Sequence, residues 1–169
     1  VVLLGSPTRS RLLQDRLNGI TRLEKLIFLL ESEAGLDAVM TESPDYEAYN
    51  YGPFSMKVYE SVDVLAAAGL LKVSGSGTSD GDAFEASQIL GSMDSNDEPY
   101  TERQFELTSL GRQYYEAVIE ELPKWVVPRV SEFKDSFGTL SLRQLVRYVY
   151  ENHPKMITKS LILEQVFEQ

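Results

Sequence analysis

A mainly helical α+β fold is what this sequence predicts, and three patterns predict it. Apolar residues recur at helical spacing from Leu23 to Ala34. Two short runs of strand character, residues 70–73 and 104–107, lie between helical stretches. Four helix starts carry a serine or threonine suited to capping: Thr21, Ser55, Thr108 and Ser141. The 169 residues suit one domain of ordinary size with room for a helical extension.

Residues 1–4 read as the end of a helix, Ser6-Pro7 as a turn, and residues 9–17 can be read as helical. Thr21 with Glu24 three positions on forms a capping box. Leu23, Leu26, Ile27, Leu30 and Ala34 then make one apolar stripe, and Gly35 stops the helix. Residues 45–51 (Asp-Tyr-Glu-Ala-Tyr-Asn-Tyr) read as extended, ended by Gly52-Pro53. Ser55 caps a second helix with Val58, Val62, Leu65 and Ala66 on one face, and Gly69 closes it.

The strand at 70–73 and its partner at 104–107 are separated by about thirty residues rich in serine, glycine and aspartate, longer than a usual hairpin loop. A short helix is expected within that loop, at 83–90. Thr108 caps the next helix, which runs to Glu121 with Leu110, Tyr114, Val118 and Leu122 on its buried side. Pro123 and Pro128 bracket a joint before a helix at 124–137 closed by Gly138. Ser141 with Gln144 makes another capping box, and that helix ends near His153-Pro154; a last helix is expected at 161–167.

Helix, helix, strand pair, helix is the order of a winged helix-turn-helix. The expected organisation is a winged-helix domain over residues 1–121, with 74–104 as a long acidic wing loop, and a C-terminal helical extension over 122–169. Trp125, Val126, Phe133 and Tyr148 are the candidates for a dimer surface on that extension, so a homodimer is a possible assembly.

The runs TRLEKLIFLLE (21–31), YNYGPFSMKVYESVDVLAAAGLL (49–71) and FELTSLGRQYYE (105–116) resemble a prokaryotic winged-helix group, the YwgA-like proteins. The C-terminal run LVRYVYENHPKMITKSLI (145–162) is similar to that group's tail. Lys25-Leu26 and Tyr51-Gly52-Pro53 with Tyr59 also look like the hallmarks of the related Panacea antitoxin domain. That likeness implies a toxin-neutralising style of action by protein contact. The acidic loop departs from both groups.

The net charge of −10 is unevenly spread. Residues 31–121 hold nineteen acidic and four basic side chains, a balance of −15. The first 25 residues and residues 129–159 each carry +3. Phosphate neutralisation supplies most non-specific affinity for nucleic acid, and the second helix of the pair, which would read a DNA groove, carries Lys57, Glu60 and Asp63 and no arginine. The nucleic-acid candidates therefore lie near the two ends: Arg9, Arg11, Arg16, Arg22, Lys25, Arg143 and Arg147.

The protein-contact candidates are Tyr49, Tyr51, Phe54, Lys57 and Tyr59, around the Tyr-Gly-Pro turn. They read either as a packed aromatic corner orienting two helices or as a partner-facing platform, tyrosine being enriched at interface hot spots. With no cysteine and one histidine, His153, neither a thiolate metal site nor a catalytic constellation is supported. Asp94 and Asn96 begin like a calcium loop, but Pro99 and Phe105 stand where glycine and glutamate are needed. No metal and no cofactor are expected.

No run reaches the ~20 apolar residues of a membrane helix; a cytoplasmic protein with no membrane partner is expected. The function expected is a non-enzymatic winged-helix regulatory or antitoxin-like module acting by protein–protein contact, the alternative being a DNA-binding transcriptional regulator.

Overall fold

The computed structural model describes residues 1–75 and 103–167. The short helix expected at 83–90, most of the acidic loop and its calcium-like run lie outside the described residues. The chain is α+β, with seven helices of four residues or more and two small antiparallel sheets among the described residues.

Helix α1 (Val2–Gly5) leads through a 3-10 turn at Arg11–Leu13 into strand β1 (Arg16–Asn18), where the sequence pattern was compatible with a helix. Strand pairing overrides that local pattern: β1 lies antiparallel to a later strand with Leu17 opposite Phe105, and both side chains are buried. Helix α2 (Ile20–Ser32) follows. It begins on Gly19 with no side-chain cap, so the expected Thr21–Glu24 box does not form; Glu24 turns inward instead. The predicted stripe is buried except for the half-buried Ile27, and Phe28 and Leu29 are buried as well, making α2 the central helix.

Strands β2 (Glu47–Tyr49) and β3 (Gly52–Phe54) form a hairpin in which Ala48 faces Pro53 and Glu47 faces Phe54. Gly52-Pro53 thus continues the extended backbone rather than ending it. Helix α3 (Met56–Ala67) starts after Ser55, whose hydroxyl donates to the Pro44 carbonyl rather than capping the helix. Strands β4 (Leu71–Ser74) and β5 (Gln104–Leu107) pair as the sequence predicts, Leu71 opposite Leu107. The main sheet has the order β1-β5-β4.

Helix α4 (Ser109–Glu121) is capped by Thr108, whose hydroxyl accepts from the Gly111 amide at 3.0 Å. Its orientation differs from the expected one: Leu110 and Tyr114 are 52% and 47% exposed, while Gly111 and Tyr115 face inward. The cause is close approach. A Cβ at Gly111 would stand 1.9 Å from the Leu70 carbonyl oxygen, and one at Gly5 would stand 2.5 Å from the Tyr115 ring. Apolar periodicity gives no weight to a glycine, so the pattern points to the wrong face.

Helices α5 (Val126–Phe137), α6 (Leu142–Asn152) and α7 (Leu163–Phe167) complete the chain. The Ser141–Gln144 capping box forms in both directions. Val126, Val130, Leu145, Val146 and Val149 are buried in the same core as Leu17, Leu29 and Phe105, so one continuous core bridges the boundary expected at Glu121. This folding back takes Val126 out of the candidate dimer surface. Val126 is 1% exposed, Phe133 and Tyr148 pack on Phe137 at ring separations of 5.3 and 4.8 Å, and Trp125 alone of the four is exposed. His153 meets Glu33, the residue just after α2, its Nε2 lying 2.6 Å from Oε1.

Candidate functional site: an aromatic corner clasped from below

Two neighbouring residues of α2 are charged and yet buried: Glu24 is 3% and Lys25 1% exposed. An unpaired buried charge would cost several kcal/mol (about 3–5). Here the two charges satisfy each other and the hairpin above them. Lys25 Nζ lies 3.3 Å from Glu24 Oε2 and donates to the Pro53 carbonyl at 2.6 Å. Glu24 Oε1 accepts from the Ser55 amide at 2.8 Å. The pair therefore grips the backbone on both sides of Phe54.

Further contacts fix the same corner. The Tyr46 hydroxyl donates to the Glu24 carbonyl at 2.9 Å; burial, with Glu24 and Glu31 nearby, pushes that phenol well above its ordinary value. Gly52 has φ of +94°, and a Cβ there would stand 3.0 Å from Cε1 of the buried Tyr150. Tyr150 shares a hydrogen bond with Ser160 at 2.7 Å, and burial raises its phenol to about 12.

Above this clasp the aromatic rings meet. Tyr49 and Phe54 are 5.0 Å apart between centroids and tilted by 38°; Phe54 and Tyr59 are 5.4 Å apart and tilted by 45°. Tyr49 is 46% exposed, with Phe54 and Tyr59 half-buried, so the strip is open along one side. Of the protein-contact candidates, Tyr49, Phe54 and Tyr59 are thus brought together. Tyr51, half-buried, stands at the turn between β2 and β3.

Lys57 turns to the segment before the hairpin. Its Nζ lies 2.6 Å from Asp45 Oδ2 and donates to the Ser43 carbonyl at 3.0 Å. That partnership lowers the Asp45 carboxyl and raises the Lys57 amine from their ordinary values.

The basic candidates do not share one role. Lys25 is interior. Arg22 donates to the Gly138 and Leu140 carbonyls, joining α2 to the end of α5. Arg143 donates to the Gln165 carbonyl at 3.4 Å, and Arg147 pairs with Glu151 at 2.9 Å. Arg16 lies on β1 opposite Glu106. Arg9, exposed, has its Nε 3.8 Å from Asp135 Oδ2, and Arg11 is exposed on the 3-10 turn.

Sequence reasoning missed Glu47 and Asp63 as members of the corner. Both signals were present: Glu47 stands two strand positions from Tyr49, and Asp63 four helix positions after Tyr59, and each spacing keeps a pair on one face. Beneath α3 lies an apolar cavity of about 240 Å³ between Leu3, Leu23, Ile27, Val58, Val62 and Leu65, with Lys57 at its rim. Among the described residues no cluster of three or more histidine, aspartate or glutamate side chains is placed to hold a metal ion, and no helix is long and apolar enough to cross a membrane. Comparison of the chain with protein-family models, with characterised proteins and with solved structures finds no match.

Proposed function

We propose that this chain is a non-enzymatic regulatory module of winged-helix type that acts by protein–protein contact, with the aromatic corner and the adjoining face of α3 as its contact surface. The observation that carries the reading is the Tyr49–Phe54–Tyr59 strip, open along one side and held over a buried ion pair. A rigid aromatic surface loses little entropy when it binds, and tyrosine is among the residues that dominate interfaces.

Support for the winged-helix reading comes from the element order and from a strand order of β1-β5-β4 beside α2 and α3. Support for protein rather than DNA comes from what α3 exposes: Met56, Glu60, Asp63 and Val64, with its lysine already engaged by Asp45. Such a surface repels a polyanion. The resemblance of the Tyr-Gly-Pro turn to an antitoxin domain points the same way.

Titration of a fluorescent DNA duplex tests the choice. The expected result is no saturable binding at micromolar protein. Binding that weakens by about a thousandfold between 50 and 200 mM salt is the signature of phosphate contacts; it would overturn the reading in favour of a DNA-binding regulator.

A further inference from the structure

We infer that the segment docking on the aromatic corner is basic, and that an arginine side chain is its anchor. The inference rests on the protein-contact reading above and adds the chemistry of the partner.

The hairpin register carries the first part of the argument. Glu47 lies directly opposite Phe54, and Glu47 and Tyr49 are two positions apart on one strand. Directly opposed residues in an antiparallel pair project to the same face, as do residues two apart. Glu47, Tyr49 and Phe54 therefore share a face, and the Tyr49–Phe54 ring contact of 5.0 Å lies on it. At the other end the Phe54 ring meets Tyr59, and Asp63 stands one helical turn further along that side of α3. The strip thus runs from a carboxylate, across three rings, to a second carboxylate.

Both carboxylates are exposed, and neither makes an ion pair among the described residues. The nearest lysine along the chain, Lys57, is held by Asp45. An aromatic face flanked by uncommitted carboxylates favours a planar cation. Guanidinium stacks on an aromatic ring and presents paired donors to a carboxylate, whereas an ammonium does neither as well. Arginine is also the charged residue most enriched at interface hot spots.

The test uses the intact, isotope-labelled chain and three synthetic dodecapeptides alternating glycine with arginine, lysine or glutamate. The arginine peptide is expected to shift the amide resonances of Glu47, Tyr49, Phe54, Tyr59 and Asp63, and to bind severalfold more tightly than the lysine peptide. Tyr49→Ala, and separately the double reversal Glu47→Lys with Asp63→Lys, are each expected to weaken the arginine peptide about thirtyfold, the size of one hot-spot contact. All of these positions are at the surface, and an unchanged melting temperature will show that the variants fold.

Equal affinity of wild type and both variants overturns the inference, as does a shift pattern confined to acidic residues elsewhere. Occupation of this face by the glutamate peptide overturns the basic-partner inference while leaving protein contact standing. Displacement of the arginine peptide from this face by duplex DNA, with the DNA shifting the same resonances, removes both. Absence of binding by all three peptides also overturns the inference.

Discussion

The molecule buries two lysines, and it compensates them differently. Lys25 (1% exposed) lies beside a carboxylate, Glu24, and donates to a carbonyl. Lys134 (fully buried) donates to two carbonyls, Leu4 at 2.6 Å and Ser6 at 2.9 Å, and makes no ion pair within 4 Å among the described residues. With Arg112, which donates to the Gly5 carbonyl, Lys134 fastens the end of α1. Burial drives the Lys134 amine down to about 8, against which Asp15 and Asp135 act only partly. A carbonyl pair satisfies the donors of an ammonium without cancelling its charge; a carboxylate does both. The first arrangement is sensitive to pH, the second to loss of a partner.

The largest effect expected is from Lys25→Met, which leaves Glu24 buried and uncompensated. Destabilisation of about 3–5 kcal/mol is expected from urea unfolding. The double variant Glu24→Gln with Lys25→Met should lose markedly less than the lysine variant alone. Equal losses would show that the two charges are not coupled, and the comparison would break there.

The second prediction is a pH slope that belongs to Lys134. Its folded-state value, about 8, lies below its ordinary 10.5, so between those values the unfolded chain binds the extra proton. Stability therefore rises with pH across that window, and the slope vanishes below it because both states are protonated. From pH 8 to pH 10 the gain should be about 2 kcal/mol. Above pH 10, Tyr46 and Tyr150, both raised, act in the opposite direction. Lys134→Met should abolish the rise in melting temperature and Lys25→Met should keep it; a rise that survives Lys134→Met assigns the slope to another group.

A smaller loss is expected for Gly52→Ala, which strains a positive φ and presses on Tyr150. A cost of about 1–2 kcal/mol should appear in unfolding, with shifted Tyr49 and Phe54 resonances, because Gly52 sets the turn that Lys25 grips. The smallest is Lys57→Ala. Its pair with Asp45 is close but solvent-exposed, so the unfolding midpoint should not change measurably. Together these separate a buried clasp from an ion pair of similar appearance at the surface.

Sequence pattern carried the element order well, because caps, breaker glycines and apolar spacing act locally. Thr108 and Ser141 cap as expected, and β4 pairs with β5. What it missed was set by distant contacts. Glu24 looks like a capping residue until the hairpin supplies the Ser55 amide, and Lys25 looks like a surface cation until Pro53 arrives above it. Strand β1 exists because β5, some ninety positions away, offers it an edge. The face of α4 was misjudged because its tightest contact is made by Gly111, a residue with no side chain. At the corner, the residue types were legible and their grouping was not: Tyr49, Phe54 and Tyr59 assemble, while Lys57 turns to Asp45.

The void beneath α3 gives the two halves of the corner unequal freedom. Helix α3 fully buries Val58 and Val62, packs Tyr59 and Leu65 partly against the same core, and borders the hollow of about 240 Å³. The hairpin is bolted to the central helix through the Glu24–Lys25 pair, whereas α3 stands over the hollow on apolar side chains at Val58, Val62 and Leu65. Amide protons of α3 should therefore exchange with solvent well before those of α2. A small apolar molecule seated in the hollow would meet α3 at Val58, Val62 and Leu65, apart from the rings a partner touches.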